Sequence, residues 1–275
     1  MQTLQAAILG FTQGITEFLP VSSSAHLVMF QNLFGFKSPE LAFDIALHYG
    51  TLLAAVIYFR GDLWAILKEV PGYFDVRAWK NQFTASEEFR LGIWVIVATI
   101  PTALIGVLFK DRFEEMFGSF RDTSFQLVLN AGILWLAVIP KKYQNFSNRN
   151  LDLKSALLIG IAQGIAIVPG ISRSGITIVT ALLLGIHPKE SVRFSFLLSI
   201  VAIFAAGVLE FRHGLPASSF SFVQISIGTL VSFLVGYWSI AFLLRKVESG
   251  KMYQFANYCL IVGIAGLVLH YGFRV

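Results

Sequence analysis

The sequence predicts an all-α integral membrane protein, with six transmembrane helices plus two re-entrant helix–loop–helix hairpins in an inverted-topology repeat. Three observations carry that expectation. Hydrophobic residues make up 56% of the 275 and charged residues only 13%, against roughly 45–50% and about 25% in soluble domains. Six apolar stretches have the length of a bilayer crossing. Two longer ones are broken in the middle and resemble each other.

The remaining composition narrows the class. Mean hydropathy is +0.70, and 26 phenylalanines outnumber the 16 acidic residues. The net charge of +5 comes from Lys and Arg spread through short loops. They form no basic stripe, so nucleic acid is not an expected partner. Cys259 is the single cysteine, which excludes an internal disulfide and a Cys-rich metal site. It reads as a small hydrophobe. No Lys or Arg precedes Lys37, so the N-terminus lacks a basic n-region and is expected to stay attached.

The elements follow in chain order. The stretch 4–34 is interrupted by Pro20 and then Ser22-Ser23-Ser24. Proline removes a helical donor and serine caps a helix that restarts. Neither half is long enough to cross alone, so the segment reads as a re-entrant hairpin shielded by protein, with one long kinked span as the alternative. Spans follow at about 41–59, 91–109 and 123–140, separated by a charged loop at 60–90. The stretch 156–186 is broken in the same way by Pro169-Gly170-Ile171-Ser172-Arg173-Ser174-Gly175. Spans at about 194–211, 222–244 and 255–272 complete the chain. Each of the six is near the ~20 residues needed to cross ~30 Å of hydrocarbon.

The halves repeat. Gly10, Gln13, Gly14, Ile15, Ser22 and Ser24 match Gly160, Gln163, Gly164, Ile165, Ser172 and Ser174. Ala54, Val56, Phe59 and Arg60 match Ala206, Val208, Phe211 and Arg212. The bland alternative is chance likeness between apolar stretches, and Gly-x-x-x-Gly alone signals only helix packing. A hairpin plus three spans is an odd number of crossings, so the second copy starts on the opposite face. The chain 1–275 is thus one membrane domain, with repeat 1 at about 4–140 and repeat 2 at about 155–272. Fourteen Lys and Arg fall on one face, six on the other, and Arg173 completes the 21. The positive-inside rule makes the richer face cytoplasmic and puts both termini outside.

Few ionisable groups lie deep, and each costs about 2.5–3.5 kcal/mol at the bilayer centre unless partnered. They are Glu17 in the first hairpin, Arg173 in the second, and Asp44 with His48 in the first span. Gln13 and Glu17 share a helix face, where a carboxylate could bind a divalent cation, act as a base or simply pair with Arg173. Ser172, Arg173, Ser174 and Thr177 surround the start of a half-helix, which suits phosphate. His26 lies four residues after Ser22 and brings a group that titrates near neutrality. Asp44 and His48 either support the site from behind or are structural. Two functions survive this reading. One is an enzyme acting on a phosphate group at membrane depth, and the other is a transporter for an anion, using Arg173 as its binding cation and Glu17 for coupling.

Gln13-Gly14-Ile15-Thr16-Glu17-Phe18-Leu19-Pro20-Val21-Ser22-Ser23-Ser24-Ala25-His26 resembles the first signature of undecaprenyl-diphosphate phosphatases of the bacitracin-resistance type. Pro169-Gly170-Ile171-Ser172-Arg173-Ser174-Gly175-Ile176-Thr177 resembles the second. The resemblance implies hydrolysis of undecaprenyl diphosphate to the monophosphate and inorganic phosphate, which recycles the carrier lipid for the cell wall and confers bacitracin tolerance. It implies a site in the bacterial cytoplasmic membrane opening to the outer side, a divalent cation (Mg²⁺ or Ca²⁺), and members that can dimerise. Carried over, Glu17 and Gln13 would hold the cation or position a water. Arg173 would clamp the diphosphate, with Ser22, Ser172, Ser174 and Thr177 around its oxygens. Ser23 and His26 are the candidate nucleophile and acid in an open order, with His26 expected nearer the chemistry. Gln13 stands where members often have Glu, and Val201 where many have proline.

Overall fold

A computed structural model describes residues 2–36, 40–75, 77, 79–109, 112, 119–138, 151–213 and 218–273, the side chains of 211, 213 and 273 apart. Lys37, Lys110, Lys141, Lys142, Arg149 and Arg274, which enter the charge count above, lie outside the described residues. So does the expected end of repeat 1 near 140, and the side chain of His213 is likewise undescribed.

The described residues are helical throughout, with turns and no strand. The first broken segment is α1 (Gln2–Phe18) and α2 (Ser23–Leu33). Then come α3 (Leu41–Tyr58), α4 (Arg60–Tyr73), α5 (Trp79–Ala85), α6 (Glu87–Leu108) and α7 (Phe120–Trp135). The second broken segment is α8 (Leu153–Ile165) and α9 (Arg173–Leu183), followed by α10 (Pro188–His213), α11 (Phe222–Glu248) and α12 (Tyr253–Phe273). Five of these are long and apolar enough to cross a membrane: α3, α6, α10, α11 and α12. The sixth expected span, α7, has 16 helical residues. The charged stretch 60–90 is not a loop but mostly α4 and α5. Its mixed composition hid two short helices that expose Trp64, Leu67 and Trp79.

The two breaks fall where the prolines and serines put them. After α1, the Val21 N–H donates to the Leu19 carbonyl at 2.7 Å, and α2 restarts behind Ser22, whose hydroxyl accepts from Ala25 N. After α8 the chain turns through Gly170, at φ +93°, and α9 restarts behind Ser172, whose hydroxyl accepts from Gly175 N. The first tip has no such glycine. There the positive φ falls on Ser22 itself, at 69°, a conformation that costs a non-glycine residue free energy and needs the surroundings to hold it.

The halves exchange partners through their glycines. α1 packs along α11, and α8 packs along α6. Gly10 abuts the backbone of Gly228, and Gly14 that of Ser232 and Gly236. In the second half Gly160 abuts Ala98 and Pro101, and Gly164 abuts Ile105. The matched Gly-x-x-x-Gly pairs are therefore used alike, each letting a broken helix approach a long helix of the other half. α7 and α12 pack together and close the assembly. At one end Glu40 accepts hydrogen bonds from Ser218 and Ser219. At the other, Arg193 gathers Asp62, Glu87 and Glu190, joining α4, α6 and α10.

Candidate active site

The packing brings the two tips face to face, and their only deep charges meet. Glu17 sits on the last turn of α1 because Gln13 and Glu17 are one turn apart on its buried face. Arg173 is the first residue of α9, and its guanidinium donates to Glu17 Oε1. The second carboxylate oxygen, Oε2, is the hub of a tight cluster. It accepts from Gln13 Nε2 at 2.9 Å and from the Ser23 hydroxyl at 2.6 Å, and His48 Nε2 lies 3.5 Å away. Ser23 reaches it because the break turns the chain back between residues 18 and 23.

A buried carboxylate with this many donors is well satisfied. Its neighbour is not. Gln13 Oε1 is buried with no hydrogen-bond partner, and the bond from Nε2 to Glu17 fixes which end of the amide is the oxygen. An orphan acceptor beside a carboxylate and a hydroxyl is a set of hard oxygens. Among the described residues no group of three or more His, Cys, Asp or Glu could hold a metal. The donors present fit a Mg²⁺- or Ca²⁺-type ion only if substrate oxygens or water complete its shell, which is how Mg²⁺ is commonly held.

The serines pair at the two tips. Ser22 and Ser24 hydroxyls lie 3.2 Å apart, and so do Ser172 and Ser174, one pair at each tip. Ser24 Oγ accepts from Gly170 N at 3.3 Å, tying tip to tip. Thr177 does not reach toward Glu17. Its hydroxyl donates to the Arg173 carbonyl at 2.7 Å and pairs with Ser195 at 2.6 Å, so it braces the first turn of α9. Both restarting helices direct their N-terminal ends at this space, where positive dipole ends and free N–H groups favour phosphate oxygens.

His26 is placed apart from this hub. Its Nδ1 is 2.8 Å from the Ser22 carbonyl and its Nε2 is 2.8 Å from the Tyr258 hydroxyl. A carbonyl only accepts, so Nδ1 carries the proton and a neutral ring accepts from Tyr258 at Nε2. The ring stacks on Tyr258, with centroids 5.6 Å apart. Asp44 is also turned aside and accepts from Gln31 Nε2 at 2.7 Å. His48 bonds the Asp44 backbone carbonyl through Nδ1, not its carboxylate, which aims Nε2 at Glu17. The structure thus joins Gln13, Glu17, Ser23, His48 and Arg173, and sets His26 and Asp44 to the sides.

Sequence reasoning passed over three groups here. Tyr258 and Gln31 carry no charge that a search for buried ions would flag. Asn130, a fully buried amide in α7, had a readable signal: a neutral amide in mid-span, one turn after Gln126.

A family model described as bacitracin resistance protein BacA matches residues 6–265. Similar curated proteins named undecaprenyl-diphosphatase cover nearly the same length. The one from Halothermothrix orenii is 39% identical over 276 residues, 98% of each chain. That from Korarchaeum cryptofilum is 40% identical over 270 residues, 98% of this chain and 100% of its own. That from Methanobrevibacter smithii is 39% identical over 269 residues, 96% of each. Since the match runs through both broken helices and every helix between them, the chain belongs to the bacitracin resistance protein BacA family.

Proposed function

We infer that this chain is an undecaprenyl-diphosphate phosphatase, hydrolysing the lipid diphosphate to undecaprenyl phosphate and inorganic phosphate. Kinship with proteins named undecaprenyl-diphosphatase supports the activity. One geometric observation supports the chemistry: the Ser23 hydroxyl donates to Glu17 Oε2 at 2.6 Å, directly beside Arg173. A serine needs an adjacent base to become a nucleophile, and Glu17 fills that place.

In this reading Arg173 gives one N–H to Glu17 and the rest of its fork to the terminal phosphate. The Ser23 oxygen attacks the terminal phosphorus while its proton passes to Glu17. The bond from that phosphorus to the bridging oxygen breaks. Glu17 hands its proton to the departing oxygen, and the lipid monophosphate leaves. Water then attacks the phosphoserine, giving a proton to Glu17, which returns it to the Ser23 oxygen as the P–O bond breaks. Arg173 and the two helix N-termini stabilise negative charge spread over the phosphoryl oxygens. Glu17, Gln13 Oε1 and Ser23 would hold a divalent cation, which when bound neutralises part of that charge. His26 keeps its bonds to Ser22 and Tyr258 and takes no proton in these steps, unlike the expectation from sequence.

The architecture we propose is six spans and two re-entrant hairpins in an inverted repeat, in the bacterial cytoplasmic membrane. The reciprocal packing of α1 on α11 and α8 on α6 supports the repeat. The Lys and Arg distribution supports both termini outside, and the resemblance implies a site opening to the outer side. The resemblance also implies a chain able to pair with a second copy, and tolerance of bacitracin. Purified protein in detergent, with no membrane to transport across, is expected to release phosphate from undecaprenyl diphosphate and to stop when a chelator is added. Absence of release there would favour the transport reading.

A further inference from the structure

The two halves of the candidate site sit on different hairpins, so something must hold their register. Glu17 and Ser23 flank the first break and Arg173 follows the second. Each break strips a backbone group of its helical partner. In an unbroken helix the Pro20 carbonyl would accept from residue 24, and the Ser172 N–H would donate to residue 168. Both orphans are buried, where an unpaired backbone group is costly.

One side chain serves both. Asn130 Nδ2 donates to the Pro20 carbonyl at 3.1 Å, and Asn130 Oδ1 accepts from Ser172 N at 3.0 Å. The assignment of its two ends is forced, because a carbonyl can only accept and an N–H can only donate. Asn130 has no exposed surface, and α7 holds it between the tips. Cys259 of α12 backs the amide, with its sulfur 3.4 Å from Nδ2 and 3.8 Å from the Pro20 oxygen. Pro20 is three residues from both Glu17 and Ser23, and Ser172 adjoins Arg173.

We propose that Asn130 is a positioning residue for the hydrolysis, setting the Glu17–Ser23 pair against Arg173 by clasping both tips. This rests on the site proposed above. Displacing reacting groups by about 1 Å costs on the order of 10²-fold in rate, so the clasp acts on turnover while touching no substrate. Asp at this position keeps the acceptor for Ser172 and, when ionised, loses the donor for Pro20.

The test is a double-mutant cycle on purified protein, following phosphate release and thermal unfolding in detergent. Asn130→Asp is expected to lower kcat about 10²-fold in the native background, yet less than about 3-fold in an Arg173→Lys background, where the guanidinium fork that the register serves is already lost. A purely structural role predicts equal losses in both backgrounds, and additive losses would overturn the proposal. Should Asn130→Asp not unfold cooperatively, Asn130→Gln takes its place. It keeps both hydrogen-bonding groups on a longer arm, and the proposal expects the same non-additive loss, with native or additive kcat overturning it. The site reading fails separately: native kcat in Glu17→Gln and Arg173→Lys would remove it whatever Asn130 does.

Discussion

Gly10 of α1 lies against the backbone of Gly228 in α11, with no room between them for a methyl group. Gly160 of α8 stands in the same relation to Ala98 of α6. The close approach, made twice, carries each broken helix deep enough for the tips to meet. The candidate site is in this sense a product of helix packing as much as of its polar residues.

A matched pair of substitutions checks that relation. Gly10→Ala pushes a methyl group into backbone that cannot yield, and overpacking of this kind costs typically 1–3 kcal/mol. Gly132, on α7, has nothing within 4 Å of its added Cβ and no positive φ. Gly132→Ala is expected to be neutral or stabilising by up to about 1 kcal/mol, through helix propensity and a less free unfolded chain. Thermal unfolding in detergent is expected to fall for the first and hold or rise for the second. Equal effects would mean that the Gly10–Gly228 approach is not tight in solution.

How much of this was legible in the sequence depends on what each feature costs. The hairpin breaks were visible because proline and serine punctuate helices for local reasons. Glu17 and Arg173 were visible because a charge at membrane depth needs an explanation, and the nearest explanation was each other. α4 and α5 were not visible, since short helices of mixed composition have neither the length nor the apolarity of a span. The positive φ at Ser22 left no mark, because nothing in Pro-Val-Ser requires it. The direction of His26 was also unreadable. It is set by Tyr258, which is 232 residues away in the chain.

That direction separates two chemistries. With Ser23 bonded to Glu17 and His26 bonded to Tyr258, Ser23→Ala is expected to abolish phosphate release, whereas His26→Ala retains measurable turnover. Activated nucleophiles and general acid–base groups are worth at least about 10²–10⁴-fold, so the gap between the two variants is expected to exceed tenfold. Rapid acid quench with labelled lipid diphosphate is expected to trap an acid-stable phosphoserine at Ser23. An acid-labile phosphoenzyme that survives in Ser23→Ala would instead return the nucleophile to His26.

The orphan oxygen of Gln13 gives a prediction about the cation. Gln13→Glu replaces a neutral donor with a second carboxylate beside Glu17, which strengthens an oxygen site for a divalent ion. The half-saturating Mg²⁺ for phosphate release is expected to fall about tenfold, equivalent to roughly 1.4 kcal/mol. Without the ion, two adjacent carboxylates repel, with Arg173 and His48 beside Glu17 as the nearby groups to offset them, so the variant is expected to melt lower in chelator than the native chain. An unchanged Mg²⁺ requirement would place the ion away from Gln13.

Arg173 has a fork of donors, of which one is spent on Glu17, and the reading above directs the remainder at phosphate. Lysine at this position keeps the charge and the ion pair with Glu17 but loses the planar, two-pronged geometry. If charge alone mattered, Arg173→Lys would remain active. If the fork holds two phosphate oxygens while bonded to Glu17, a single ammonium cannot replace it. Turnover is then expected to drop about 100-fold, equal to ~2.7 kcal/mol of transition-state stabilisation. Because the buried carboxylate keeps a cationic partner, thermal unfolding is expected to change little, and circular dichroism to stay native. Phosphate release at saturating and limiting lipid separates the two cases. A fall in kcat with a folded chain supports the clamp, and near-native turnover would reduce Arg173 to a counter-ion for Glu17.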